Sequence, residues 1–164
     1  MELRMYGLTN YQLTGIQKGI QFLHGVVEYS QMVNKIGGDT LDIYNDWANN
    51  HKTVILLNGG TTNHQLDDVG FPVGTLNNHV LSLDKMKVDF ATFCEPDLGN
   101  QLTAVVFLVD ERVFNKTKYP DFEPSALAIL NSWKYKREFK VWTKKIGGQK
   151  NVFLRDFLKN FRLA

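Results

Sequence analysis

The sequence predicts an α/β fold: a mixed four-stranded sheet with helices on both faces, followed by a basic helical extension. Three observations predict it. Helical and strand-like segments follow one another as β-α-α-β-α-β-β over the first 110 residues. Residues 52–58 (KTVILLN) and 102–109 (LTAVVFLV) are nearly continuous apolar runs, the pattern of strands covered on both faces. The last two strands are joined only by the short link 96–101, which favours antiparallel pairing and so makes the sheet mixed.

The elements follow in order. Residues 2–8 form a first strand, Thr9 and Asn10 begin a turn, and Thr14 is a helix N-cap. From Gly15 to about Val33, Ile16, Ile20, Leu23 and Val27 recur at helical spacing. Gly37 and Gly38 end that unit. Leu41, Tyr44 and Trp47 suggest a second short helix closing near Asn49 and Asn50. After the 52–58 strand, residues 59–74 are polar and glycine-containing, a loop. Leu76, Val80, Leu83 and Met86 mark a third helix. Residues 89–95 alternate like a strand until Pro96 stops it. Beyond Asp110 the pattern changes. Pro120 and Pro124 flank a turn, 125–133 reads as helical, and 151–162 is an amphipathic helix. The expected division is a domain over 1–110 and a basic, aromatic-rich helical extension over 111–164 packed on it.

Composition excludes several classes. With 164 residues, 43% of them apolar, the chain can bury a core without staples. Charged residues at 22% and aromatics at 12% exclude a disordered or fibrous chain. The longest apolar run, 104–109, is six residues against the roughly 20 a bilayer span needs. The first six residues lack the basic and apolar regions of a secretory signal, so none is expected. Cys94 is the only cysteine, which excludes an intrachain disulfide and fits a reducing, cytoplasmic compartment. Mid-strand beside Phe93, it reads as inert core.

Charge divides along the chain. Residues 1–133 carry nine Lys/Arg and fifteen Asp/Glu, whereas 134–164 carry ten Lys/Arg against Glu138 and Asp156 alone. Aromatics interleave with those cations at Trp133, Tyr135, Phe139, Trp142, Phe153, Phe157 and Phe161. Three readings are open: an amphipathic element docked by its aromatics with solvated lysines, a surface for phosphates, or a membrane-surface helix. Nothing beyond the apolar face supports the membrane. In the phosphate reading Lys144, Lys145, Lys159 and Arg162 contact RNA, and the tail folds back to present a basic face near the cleft. Val152, Phe153, Phe157 and Phe161 would then be buried, leaving Lys150, Arg155, Lys159 and Arg162 exposed and unpaired.

Two groups of residues could carry chemistry. Gln17, Gln21, His24 and Glu28 form a polar stripe on the first helix, either a solvated face or the edge of a site. The second group, 95–103, puts Glu95, Asp97, Asn100, Gln101 and Thr103 at a link between strands, where α/β sheets often place ligands. A carboxylate there could orient water, and a threonine hydroxyl could donate to an oxyanion. The bland reading is a turn whose Asp97 and Asn100 satisfy backbone groups. His51, His64 and His79 have no ligand-like spacing with His24, so no metal is expected. Gly59-Gly60 completes no phosphate loop, and no GxSxG elbow exists.

These residues meet a family. The segment Gly15-Ile-Gln-Lys-Gly-Ile-Gln21-Phe-Leu-His24-Gly, the later Trp47, the KTVILL strand and EPDLGNQLTAV together resemble the type II peptidyl-tRNA hydrolases, above all their short bacterial and viral relatives. The resemblance covers about residues 2–109. It implies a mixed four-stranded sheet with helices on both faces, and hydrolysis of the ester between a peptide and tRNA ribose without a metal or other cofactor. Gln21 and His24 match the family's Gln-x-x-His. Asp97 matches an acidic site residue, and Thr103 a threonine at the start of the last strand. The family's lysine four residues before the helix glutamine is replaced by Gln17. Lys18, one step round the helix, could substitute only after a rotation of about 100° or a swing of its side chain. The glycine-rich link is shortened to 96–101. Residues 59–74 and the basic tail look like additions.

Two function classes follow, with a third behind them. As a hydrolase, Asp97 would position water, His24 and Thr103 would complete the catalytic set, and Gln17, Lys18, Gln21, Glu95, Asn100 and Gln101 would hold the substrate. As a binding module, the same cleft would capture tRNA or another anionic nucleotide ligand without turnover. The third class is a scaffold whose tail mediates contacts such as a homodimer.

Overall fold

The computed structural model describes residues 1–62, 66, 68–70 and 74–164. They divide into two compact units, 1–109 with 161–164, and 110–160. No helix among the described residues is long and apolar enough to cross a membrane.

The first unit is a four-stranded mixed sheet in the order β2-β1-β4-β3. Its strands are β1 (Leu3–Asn10), β2 (Thr53–Gly60), β3 (Phe90–Glu95) and β4 (Gln101–Asp110). β1 and β2 run parallel, and β3 and β4 antiparallel, as the short link demands. β1 and β4 are central and covered on both sides, which is why their sequences are apolar with little alternation. Helix α1 (Gly15–Ile36) and helix α2 (Gly38–Asp46) lead from β1 to β2, and α3 (Thr75–Lys85) from β2 to β3. Helices cover both faces. A Cβ on Gly7 of β1 would collide with the Phe22 ring of α1, whereas one on Gly59 would meet Leu76 of α3 and Leu8. Trp47, in a π-helical turn after α2, is buried and donates its indole N–H to the Thr53 carbonyl at 3.0 Å, tying that turn to the start of β2. The segment 161–164 returns to the free edge of β2. Leu163 bridges Leu57, and the Asn58 amide donates to the Arg162 carbonyl at 2.9 Å.

Of the polar segment 59–74, Gly59 and Gly60 close β2, and several of the remaining residues, His64 among them, lie outside the described residues.

Helix α1 forms where its periodicity places it but turns the other way. Ile16, Ile20, Leu23 and Val27 point to solvent, with Ile16 80% and Leu23 62% exposed. The buried row is Gln21, Gly25, Tyr29 and Val33. Gly25 is the reason. Its missing side chain lets the helix approach so closely that a Cβ would stand 2.6 Å from Cγ2 of Val106 and 3.6 Å from Cβ of Ala104. Gly25→Leu is therefore expected to cost about 1–3 kcal/mol by overpacking, and Leu23→Gln to stay within about 0.5 kcal/mol. Thermal unfolding of both variants checks this, and the opposite ranking would return the apolar stripe to the core.

Cys94 is another correction: it is exposed, on edge strand β3, and partial burial of its thiol raises the pKa. Core placement fails because Cys94 lies on the opposite face of β3 from Phe93 and Glu95, the residues that meet α1.

The second unit contains α4 (Glu111–Phe114), α5 (Ala126–Leu130), α6 (Ser132–Lys145) and α7 (Gln149–Leu158). The single helical reading of 125–133 is replaced by two helices. Asn131 is extended between them, and its side chain caps the amides of Trp133 and Lys134. The final helix ends at Leu158 rather than 162, so Arg162 is not part of it.

Candidate functional site

The cleft candidates of the first unit meet where α1 faces the β3–β4 end. Thr14 caps α1. Its hydroxyl accepts from the Gln17 amide at 3.3 Å, and the Gln17 side chain accepts from the Thr14 amide at 3.0 Å. Gln17, standing where the resembled family has lysine, is thus a capping residue of its own helix. Lys18 is half-buried on the next step round the helix.

One turn on, Gln21 is 7% exposed and joins two elements. Its Nε2 donates to Oε2 of Glu95 at 2.6 Å, and its Oε1 accepts from Oγ1 of Thr103 at 2.6 Å. Thr103 reaches α1 because of a β-bulge. Phe93 pairs with Ala104 and Cys94 with Leu102, leaving Thr103 as the extra residue. Strict alternation would send Thr103 and Ala104 to opposite faces, but the bulge turns both toward α1. The Thr103 hydroxyl also lies 3.3 Å from the Phe93 carbonyl. At 1% exposure it is spent within this network.

The remaining candidates surround it at the surface. The exposed His24 ring stacks on Phe93, with centroids 4.5 Å apart and an interplanar angle of 13°. Asp97 is exposed on the short turn Pro96–Leu98, and its amide lies 3.5 Å from Oε1 of Glu95. Asn100 is exposed in the left-handed region at φ 60°, and its amide donates to the Glu95 carbonyl at 2.9 Å. Gln101 opens β4 opposite Glu95. The structure therefore brings Gln21, Thr103 and Glu95 into one bonded chain. Asp97 holds a turn position beside that chain and touches it through its backbone amide.

The second unit holds a groove that the sequence reading missed. Its cavity is about 810 Å³, between α6 and the segment after Pro120. Tyr135, Phe139 and Trp142 line the inner side of α6 at spacings of four and three and close around Phe122, with ring centroids 5.2–5.7 Å from it. That spacing was the available signal for α6. The segment 119–121 is fixed by Arg155. Its guanidinium donates to the carbonyls of Tyr119, Pro120 at 3.3 Å and Arg112 at 2.9 Å, and to Asp121 at 2.8 Å. Arg155 is 4% exposed and sits over the Trp142 ring, so it is no free phosphate ligand. Lys159 pairs with Asp156 at 3.1 Å, which also removes it from the unpaired set. Lys144 and Lys145 do end α6 as exposed cations. Asp110 begins this unit. Burial alone would raise its carboxyl, but hydrogen bonds from Arg112 and Asn151 outweigh burial and hold it below the usual carboxylate range.

No family model matches the chain, and no curated protein or solved structure is significantly similar to it.

Proposed function

We propose that this chain binds RNA and holds it without hydrolysing it. One observation carries the reading. Lys136, Arg137, Lys140, Lys144 and Lys145 are exposed on α6, where Glu138 is the one acid. Among the described residues none of these five forms an ion pair. Glu138 is already engaged by Ser125, whose amide and hydroxyl donate to it at 3.0 and 2.7 Å. These five cations outnumber the single acid, and such an excess of positive charge on a rigid helix attracts a polyanion and releases its condensed counterions on contact. The resemblance of residues 2–109 to peptidyl-tRNA hydrolases makes tRNA the first RNA to test. Two features of the cleft favour capture over turnover. The Thr103 hydroxyl already donates to Gln21, and Gln17 supplies a cap where a cation would stabilise developing charge.

Replacing Lys136, Lys140, Lys144 and Lys145 by glutamine is expected to weaken tRNA binding at least tenfold near 0.1 M salt and to flatten the slope of log affinity against log salt by about 2–3. Fluorescence anisotropy over a salt series measures both. Equal slopes for variant and wild type would remove RNA as the partner of α6.

A second reading keeps the esterase. What favours it is the meeting of Gln21, Thr103 and Glu95 beside His24. In that reading Asp97 positions the attacking water, and Gln21 holds Thr103 for the ester carbonyl. Incubation of the protein with peptidyl-tRNA decides between the two: release of free tRNA above the uncatalysed rate would replace capture by hydrolysis.

A further inference from the structure

The groove of the second unit has an aromatic floor and a cationic rim, a combination that a phosphate surface alone does not require. We propose that it is a platform for unpaired bases, so that the RNA held by this chain is single-stranded where it crosses α6; this rests on the RNA-binding reading above. Trp133 stands 68% exposed at the groove, with the Arg137 guanidinium 5.7 Å from its ring centroid. Phe122 and Trp142 form the floor, and the indole N–H of Trp142 is already satisfied by the Pro120 carbonyl at 3.0 Å. The rings therefore present apolar faces without an unmet donor, as stacking on a base requires.

Charge on the rim fits the same ligand. Lys134, Arg137 and Lys145 border the groove. They lie along one helix at steps of three and eight residues, a span of about 16 Å at 1.5 Å per residue, room for more than one phosphate. Three acids also line the groove, and one of them is neutralised by cations outside the rim. Lys116 and Arg155 bind Asp121, and Ser125 binds Glu138. Serine carries no charge, so Glu138 keeps its own, and the rim sets Lys134, Arg137 and Lys145 against Glu123 and Glu138, a positive excess that favours an anionic strand over a neutral or basic peptide. The volume lies within the ordinary range for sites that enclose organic ligands. Duplex RNA offers phosphates to the same cations but keeps its bases stacked inside the helix, so the exposed indole gains nothing from it.

The test uses the full chain and two fluorescent RNAs of equal phosphate count, a mixed-sequence single strand and a hairpin duplex. Wild type is expected to bind the single strand at least tenfold more tightly, with quenching of tryptophan emission. Trp133→Ala, at an exposed site that leaves the fold intact, is expected to lose about tenfold on the single strand and little on the duplex, with the salt slope on both RNAs unchanged. Equal affinity of the wild type for the two RNAs, or a Trp133→Ala variant that binds the single strand as tightly as wild type, would overturn the base platform and leave the groove to an occupant such as an apolar peptide. RNA binding through α6 would survive that result. No binding to either RNA would overturn the RNA reading itself.

Discussion

Arg155→Met is expected to cost the second unit about 3 kcal/mol, enough to unfold it well before wild type in urea. Arg155 is buried on α7 and its fork makes four hydrogen bonds, to three backbone carbonyls and the Asp121 carboxylate. The ion pair is the smaller part. Asp121 is 48% exposed, so water can replace its partner. The carbonyls of Tyr119 and Arg112 are the larger part, since methionine fills the space and supplies no donor. A buried acceptor left unmet costs about 1–3 kcal/mol. Arg155→Lys should recover less than half, because one ammonium cannot reach acceptors spread over a planar fork. Urea unfolding followed by tryptophan fluorescence reads this unit through Trp133 and Trp142. An unchanged midpoint in Arg155→Met would mean that packing of α7 through Leu154 and Phe157, not the arginine, fixes the segment 119–121. The consequence reaches function, because that segment carries the wall of the groove opposite α6.

The sheet was legible because its central strands are covered on both faces. A strand such as 102–109 must be apolar at nearly every position, and no other element of this length looks like that. The antiparallel pairing of β3 and β4 followed from chain reach alone. What escaped was set by single tertiary contacts. The spacing of Ile16, Ile20, Leu23 and Val27 identifies a helix but not which side meets the sheet. A glycine facing Val106 decided that, and the polar Gln21 entered the buried row because Thr103 and Glu95 satisfy both ends of its amide. The turn of Thr103 toward α1 depends on one extra residue in β4, which alternation cannot reveal. Arg155 looked like a solvated cation because its acceptors are backbone carbonyls more than thirty residues away. Of the proposed phosphate ligands, Lys144 and Lys145 sit on the exposed end of α6. Lys159 has an acid within its own helical turn, and Arg162 lies in the strand-edge segment of the first unit. The groove was not legible because its walls come from segments separated by a helix break at Asn131.

Gln21→Glu is expected to make stability of the first unit depend on pH in a direction opposite to ordinary acid denaturation. Glutamine is suited to this position because it accepts from Thr103 with one end and donates to Glu95 with the other, each at 2.6 Å. Glutamate keeps the shape and the acceptor but turns the donor into a second carboxylate oxygen facing Glu95. Near neutral pH the like charges and the lost hydrogen bond should together cost about 2–4 kcal/mol. Below about pH 4.3, the ordinary glutamate pKa, the introduced carboxyl is protonated and restores a donor toward Glu95. The sign follows from linkage. The introduced group has its folded pKa raised above its unfolded value, so its stabilising form is fully present below the unfolded pKa and is lost as pH rises through the folded one. Gln21→Leu provides the comparison, since it removes donor and acceptor together and adds no proton. Its loss relative to wild type should be nearly constant with pH. Urea unfolding of wild type and both variants between pH 4 and 7.5 separates the cases. If the two variants run parallel across that range, Glu95 does not face Gln21 closely enough to sense its charge, and the bonded chain from Glu95 through Gln21 to Thr103 is not the element that holds α1 against the β3–β4 end.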